Sequence, residues 1–569
     1  MSSKQWRNIF ITFLIQFFIF KPLLWISRVV VSYTTRNQQK RTERRYLSIL
    51  DSTEDHQTWS STALSLDLLR GFKKWHCTIP TSSYCNPAAL IYETNVAIEL
   101  ARIGNVRAIG EFLRTMLHRR VNGVASPLLF RYYTGTKDFV ENYNIAIHDL
   151  IEVFSGRREE MTPLGSSTST ANSDTKSEFV EDLLLWAKNT AGTQEAQMTP
   201  REKQELLCDT AHSFGVTALM LSGGASLGMY HIGVVRALFE AGLLPRIISG
   251  SSAGSIIAAV ICTRTDADLS TMLVGNGLSL GEIHLNAFEV NDSPEESIGK
   301  KFDRLLASGA FMDVETLMLC LQRNCGDLTF LEAYRMTGRI LNVSVANNRP
   351  GDHIDKHMLL NYITASNVVI WSAVAASCAM PGLFTAVQLL EKNGSEIVPY
   401  LPGQLWFDGS VARDLPREEL STTFNVNYFL VSQTNPHVIP FLRKPPSPIV
   451  HKKRSGIFKR CWFAVCSEAR HWLLKSYRVG LLPKSGGAEV PYLMATQCYS
   501  GDITILPIGS VWSAIPDFIN LTSNPSEEHM AYVISNAQRR TWPHINQIRW
   551  ITCVERALLR EYEHLSFAV

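Results

Sequence analysis

The run Gly250-Ser251-Ser252-Ala253-Gly254 sets a serine between two glycines, the G-x-S-x-G spacing of a nucleophile elbow. A serine hydroxyl attacks an ester only when a base takes its proton and the turn lifts it clear of the chain. Gly250 and Gly254 suit such a turn, because neither adds a side chain where strand and helix must cross closely. The flanks agree: an apolar run at 244–248 reads as strand, and 255–260 continues as an apolar helix. Upstream, residues 216–221 read as a buried strand. They lead into Ser222-Gly223-Gly224-Ala225-Ser226-Leu227-Gly228 and then a helix over 229–242, with Ile232, Val235, Leu238 and Phe239 on one stripe. Glycines ahead of a helix expose backbone N–H groups that hold a developing negative charge. Gly223, Gly224, Ala225 and Gly228 are therefore the candidate oxyanion donors. The loop lacks the lysine of G-x-x-x-x-G-K-[ST] and does not fit G-x-G-x-x-G, so it is not read as a nucleotide cradle. A third piece, Leu405-Trp406-Phe407-Asp408-Gly409-Ser410, ends a strand on a carboxylate, which makes Asp408 the candidate base. Taken singly, each piece is also an ordinary turn.

In this order, the three pieces resemble the patatin-like acyl hydrolase family. The resemblance implies a serine–aspartate dyad without a histidine: Ser252 as nucleophile, Asp408 as base, the 223–228 loop as oxyanion hole. Two departures stand out. Many patatins carry a third glycine at the place of Ala225 and a basic residue at that of Leu227. Asp-Gly-Gly or Asp-Gly-Ala is also commoner than Asp408-Gly409-Ser410. Further runs are similar to the fungal and plant triacylglycerol lipase branch of the family. They are residues 326–334 (GDLTFLEAY), 361–368 (NYITASNV), 371–382 (WSAVAASCAMPG) and 431–437 (VSQTNPH). That branch places a helical domain ahead of the hydrolase, and Gly135-Thr136-Lys137 with Glu141-Asn142-Tyr143 resembles its end. The likeness covers roughly residues 60–155 and 205–440. It implies a three-layer α/β/α core, no cofactor, and triacylglycerol at a lipid droplet or the endoplasmic reticulum as substrate.

A rival constellation exists. Ser252, Asp408 and His437 follow the serine–acid–histidine order of α/β-hydrolases, and His437 lies just past an apolar run at 428–431. A lone histidine at a strand end more often satisfies a local hydrogen bond. No metal pattern competes, since H-E-x-x-H and paired C-x-x-C are absent. Nor does any histidine precede an aspartate by five positions, so the acyltransferase motif H-x-x-x-x-D is missing; His284 with Glu289 only imitates it.

The elements that must position these residues fit the length. The chain has 569 residues, enough for two or three domains with a large core. A 46% hydrophobic and 19% charged composition excludes a disordered chain, and a net charge of +3 excludes a global nucleic-acid field. Eleven cysteines without a framework, several in apolar runs, point to thiols in a reducing compartment and away from secretion. Residues 9–20 are nearly all apolar, and after Lys21-Pro22 the apolar character resumes at 23–26 and 29–31. Residues 1–35 are read as an uncleaved membrane anchor, either one tilted span or a kinked interfacial or re-entrant segment. The basic run Arg36, Lys40, Arg41, Arg44, Arg45 then keeps the rest of the chain cytosolic. Residues 55–160 read as a helical domain, with helices over 87–103, 106–118 and 143–154. Residues 161–200 form a polar, flexible linker with one helix at 179–187. The hydrolase domain spans 205–440. In the extension 441–569, Lys452, Lys453, Arg454, Lys459 and Arg460 interleave with Phe458, Trp462 and Phe463, which suits an anionic membrane surface as well as a solvated helix. Helices follow near 528–540 and 545–562. The composite expectation is a serine lipid hydrolase. Behind it stand a phospholipase or lysophospholipid acyltransferase using Ser252, and a non-catalytic lipid-droplet scaffold.

Overall fold

The computed structural model describes residues 21–80, 84–158, 178–274, 309–347, 357–436, 497–508 and 526–566, with isolated positions between 438 and 479. The chain divides into two compact units, one of residues 21–78 with Tyr132–Thr134, the other of residues 79–131 and 135 onward.

The first unit is helical. Lys21–Ser52 is a 32-residue helix, followed by His56–Leu69, whose first turn is capped by the Asp55 carboxylate accepting the Thr58 N–H. Arg70 holds Glu43 at 2.6 Å across the pair. No described helix is long and apolar enough to cross a membrane. Residues 1–20 of the expected anchor lie outside the described residues.

The second unit is built on a mixed sheet. Its strands are β1 (Val216–Leu221), β2 (Ile247–Gly250), β3 (Ile340–Asn347), β4 (His357–Leu360), β5 (Val387–Gln388), β8 (Leu405–Asp408), β9 (Val426–Ser432) and β10 (Ile503–Ile505), while β6 (Leu390–Asn393) and β7 (Glu396–Pro399) form a separate hairpin. The order is β10-β9-β1-β2-β3-β8-β5, with β4 also paired to β3. Strands β10, β9, β1, β2 and β3 run parallel, while β4, β8 and β5 pair antiparallel. The near-continuous burial of β1 and β9 is what a parallel strand covered on both faces requires.

The register brings the serine and the aspartate together. Gly250 pairs with Val343, so the chain after β2 leaves the sheet at the level of Val345, and Val345 is the partner of Asp408. Because β8 runs antiparallel, its last residue arrives at that level from the opposite direction. The centre of the sheet is thus parallel, and Asp408 enters on an antiparallel strand.

Expected helices match observed ones at Pro87–Ile103, Val106–Met116, Asp138–Ser155 and Glu178–Thr190. The two C-terminal helices are divided elsewhere than expected. Glu527–Ile551 runs straight through Pro543, and the break falls at Thr552 before Cys553–Ser566. These helices belong to the core, as does β10, which extends the sheet beside β9.

One buried ion pair fastens the C-terminal helix to the start of β1. The Arg119 guanidinium, 1% exposed, donates to Glu555 Oε2 at 2.7 Å, to Thr217 Oγ1 at 2.7 Å and to the Gly215 carbonyl at 2.8 Å. Glu555 Oε1 in turn accepts the Thr217 N–H at 2.8 Å. Removing one partner of such a pair strands the other charge out of water. Glu555→Ala is expected to lower unfolding stability by about 3–5 kcal/mol, read as an earlier thermal transition, and Arg119→Met on that background to recover part of it.

Candidate active site

Ser252 occupies a backbone conformation that L-residues avoid, with φ 49° and ψ −128°. Such strain costs roughly 1–3 kcal/mol and persists only where neighbours fix it. Here they do. The Ser252 N–H donates to Ser377 Oγ at 3.0 Å, and Ser377 Oγ donates to the Ser344 carbonyl at 2.7 Å. The Ser252 carbonyl accepts Ser255 Oγ at 2.6 Å, and the Ser251 N–H donates to the Leu221 carbonyl at 3.2 Å. The elbow glycines are the close approach itself: a Cβ on Gly250 would lie 2.5 Å from the Gly254 carbonyl oxygen, and one on Gly254 would overlap that of Leu221. The helix Ala253–Cys262 starts at the next residue, so its positive end faces the serine.

The glycine loop lies alongside. After β1 the chain passes Gly224, at φ 152°, into a short 3-10 turn over Ala225–Met229 and the helix Tyr230–Glu240. Ala225 has φ 50°, a left-handed value that glycine adopts freely and alanine does at a cost of about 1–2 kcal/mol. A glycine at this place would remove that cost. Gly228 abuts the elbow helix, where a Cβ would come within 2.6 Å of Ala253 Cβ. Among the described residues nothing accepts the N–H of Gly224 or Ala225, whereas the Gly223 N–H donates to Asp414 Oδ1 at 3.0 Å.

Asp408 is 1% exposed and beside the Ser252 hydroxyl. Burial pushes its carboxyl up to about 6. The backbone N–H of Ser410, donating to Oδ1 at 2.8 Å, the Ser410 hydroxyl and the Ser252 hydroxyl hold it from rising further. A buried carboxylate with a raised proton affinity, beside the Ser252 hydroxyl, is the arrangement of a general base. His231, which the helical stripe of the sequence passed over, props the glycine loop from below. Its Nδ1 meets Ser432 Oγ at 2.7 Å and its Nε2 the Ser222 carbonyl at 2.9 Å, and burial lowers it to about 4, so it is neutral. Sequence reasoning missed Ser377, Asp414 and Asn435, although all three stand in or beside runs that carried the resemblance. His437, His284 and Glu289 lie outside the described residues, as does the basic aromatic segment at 452–460.

The patatin-like phospholipase profile matches residues 219–421, which hold the glycine loop, the elbow and Asp408, and a domain of unknown function, DUF3336, matches 34–183. Triacylglycerol lipase ptl2 of Schizosaccharomyces pombe is 30% identical over 530 residues, covering 90% of this chain and 75% of that one. The chain belongs to the patatin-like phospholipase family. Triacylglycerol lipase 5 of Saccharomyces cerevisiae is 31% identical, covering 88% of this chain and 63% of that protein. Triacylglycerol lipase SDP1L of Arabidopsis thaliana is 34% identical, covering 67% and 46%. This patatin-family chain therefore spans between about half and three-quarters of the length of these relatives.

Proposed function

We propose that the protein is a serine acyl hydrolase of neutral lipid esters, with triacylglycerol as substrate, working through Ser252 and Asp408. The observation that carries this reading is the strained, half-buried Ser252 beside a buried carboxylate, at one edge of a loop whose Gly224 and Ala225 N–H groups have no described acceptor. Asp408 takes the Ser252 proton as Oγ attacks the ester carbonyl. The tetrahedral oxyanion forms against the Gly224 and Ala225 amides and the N-terminus of the elbow helix. Collapse expels the diacylglycerol alkoxide, which recovers the proton from Asp408. Water, deprotonated by the same carboxylate, then releases the fatty acid. All protons are handled by one carboxylate, so neither a metal nor an organic cofactor enters. The names of the fungal and plant relatives support triacylglycerol as the ester. The apolar run at 9–20 and the basic residues that follow support attachment of the N-terminal segment to a lipid-droplet or endoplasmic-reticulum surface, with the hydrolase on the cytosolic side.

The test is fatty-acid release from emulsified triolein against phosphatidylcholine vesicles, with Ser252→Ala as control. Serine-dependent release from triolein is expected. Release from phosphatidylcholine alone would replace the substrate while leaving the dyad, and incorporation of acyl-CoA into lysophospholipid would turn the hydrolase into a transferase. Because Asp408 must be ionised to act and burial holds it near 6, the rate is expected to fall as the pH drops through that value. An acid limb centred near the ordinary carboxylate value would argue against a buried base.

A further inference from the structure

The site contains a second buried carboxylate that the dyad does not use. Asp414 is 1% exposed and six residues beyond Asp408, in the chain that returns from β8. Both of its oxygens are engaged from different loops: Oδ1 accepts the Gly223 N–H at 3.0 Å, and Oδ2 accepts Asn435 Nδ2 at 2.8 Å. Its main chain is engaged as well. The carbonyl accepts Ser251 Oγ at 2.6 Å, one residue before the nucleophile, and the N–H donates to Gln497 Oε1 at 2.9 Å. One residue thus joins the glycine loop, the elbow, the end of β9 and the approach to β10. The place is close-packed: a Cβ on Gly223 would stand 3.2 Å from Asn435 Oδ1 and 3.4 Å from Ser252 Cβ.

We infer that Asp414 is a positioning residue for the acyl-transfer reaction, its ionised carboxylate fixing the Gly223 amide so that the next two N–H groups of the loop face the oxyanion. The inference rests on the proposed Ser252 chemistry. Asp414 holds the Gly223 N–H while Thr434 Oγ1 holds the Gly223 carbonyl at 2.9 Å, so the peptide on each side of Gly223 is pinned, and Gly224 and Ala225 are left as the donors with no described acceptor. The Ser251 contact ties the same residue to the nucleophile turn, so loop and serine are located against one reference point. A residue held this way acts on the rate without touching the ester.

The charges around Asp414 decide its pH behaviour. Burial above all, and the neighbouring Asp408, raise its carboxyl to about 7 against the opposing donors from Gly223, Asn435 and Gln433. His231, under the same loop, is neutral, and Arg413, the preceding residue, turns its guanidinium to Glu418 and Glu419. Asp408 and Asp414 therefore titrate as a coupled pair of like charges. If both must be ionised, activity is present above their raised values and is lost as the pH falls through about 7 and then about 6, a steeper acid limb than one group gives.

The experiment compares wild type, Asp414→Asn, Asp414→Ala and Ser252→Ala in the full chain, each checked for a native thermal transition, by triolein hydrolysis and fluorophosphonate labelling across pH. Asp414→Ala is expected to lose about 10²-fold in kcat at unchanged KM, the scale of one misplaced oxyanion donor. Asp414→Asn keeps one acceptor but not the charge, and turns an amide N–H toward one of the two donors that Asp414 accepts, so it is expected to recover only a small part of that loss. It also removes one ionisation and one like charge, so its acid limb becomes shallower and moves to lower pH. Acid limbs of wild type and Asp414→Asn that superimpose, or Asp414→Ala with wild-type kcat, would overturn the inference while Ser252→Ala remains inactive. Hydrolysis that survives in Ser252→Ala would instead overturn the proposed chemistry itself.

Discussion

Ser252→Ala is expected to reduce triolein hydrolysis by about 10⁴–10⁶-fold and to abolish fluorophosphonate labelling, with the thermal transition unchanged or raised. The size follows from what is removed. Without Oγ no acyl-enzyme forms, and what is left is water attack within an intact oxyanion loop. The fold does not depend on the hydroxyl, because the elbow is fixed by the Ser252 N–H on Ser377 and the Ser252 carbonyl on Ser255, both backbone groups that alanine retains. Alanine also inherits the unfavourable φ of 49°, so the strain stays in the native state. Asp408→Asn is the complementary case: the serine stays but its proton has nowhere to go. A loss approaching that of Ser252→Ala is expected, with labelling slowed rather than abolished and the acid limb near 6 flattened. A variant Ser252→Ala that still hydrolyses triolein would place the chemistry on another residue.

The elbow and the glycine loop were readable in the sequence because their demands are local. A nucleophile elbow needs small residues at fixed offsets around one serine, and the strand, loop and helix on either side alternate apolar runs with glycines. The pairing that makes the site was not local. That Asp408 reaches Ser252 depends on β8 lying antiparallel beside β3 with Asp408 opposite Val345, and no residue pattern in either strand states that register. The same holds for Asp414. In the sequence it is an acid following Arg413 in a short turn, the kind of residue expected on a solvated surface. Its burial exists only because Gly223, Asn435 and Ser251 close over it from three distant segments. The C-terminal region shows the limit most clearly. β10 is only three residues long, Ile503–Ile505, too short for alternation to register, and Pro543 reads as a helix end although the helix continues through it. The buried Glu555 of the last helix looks like any exposed helical acid until Arg119, more than four hundred residues earlier, is placed against it.

Gly254→Ala is expected to lower both rate and stability, by a route different from loss of the serine. One added methyl would collide with the carbonyl oxygen of Leu221, lie 2.6 Å from the Leu221 carbonyl carbon and 2.6 Å from the Ser222 oxygen. All three are backbone atoms, two of them at the end of a central strand, so no rotamer change relieves the overlap. The elbow helix must move away from β1, and Ser251 would then lose its N–H bond to that same Leu221 oxygen. Displacing the helix start by even about 1 Å shifts Ser252 away from Asp408 and from the glycine loop, and a misplacement of that size costs on the order of 10²-fold in rate. Overpacking of a rigid contact adds about 1–3 kcal/mol of destabilisation, expected as an earlier thermal transition. The two readouts separate this variant from Ser252→Ala, which loses activity without losing stability. Labelling by fluorophosphonate should be slow in Gly254→Ala although the nucleophile is present. Wild-type labelling and stability in that variant would mean that the close crossing of β1 and the elbow helix is not what positions the serine.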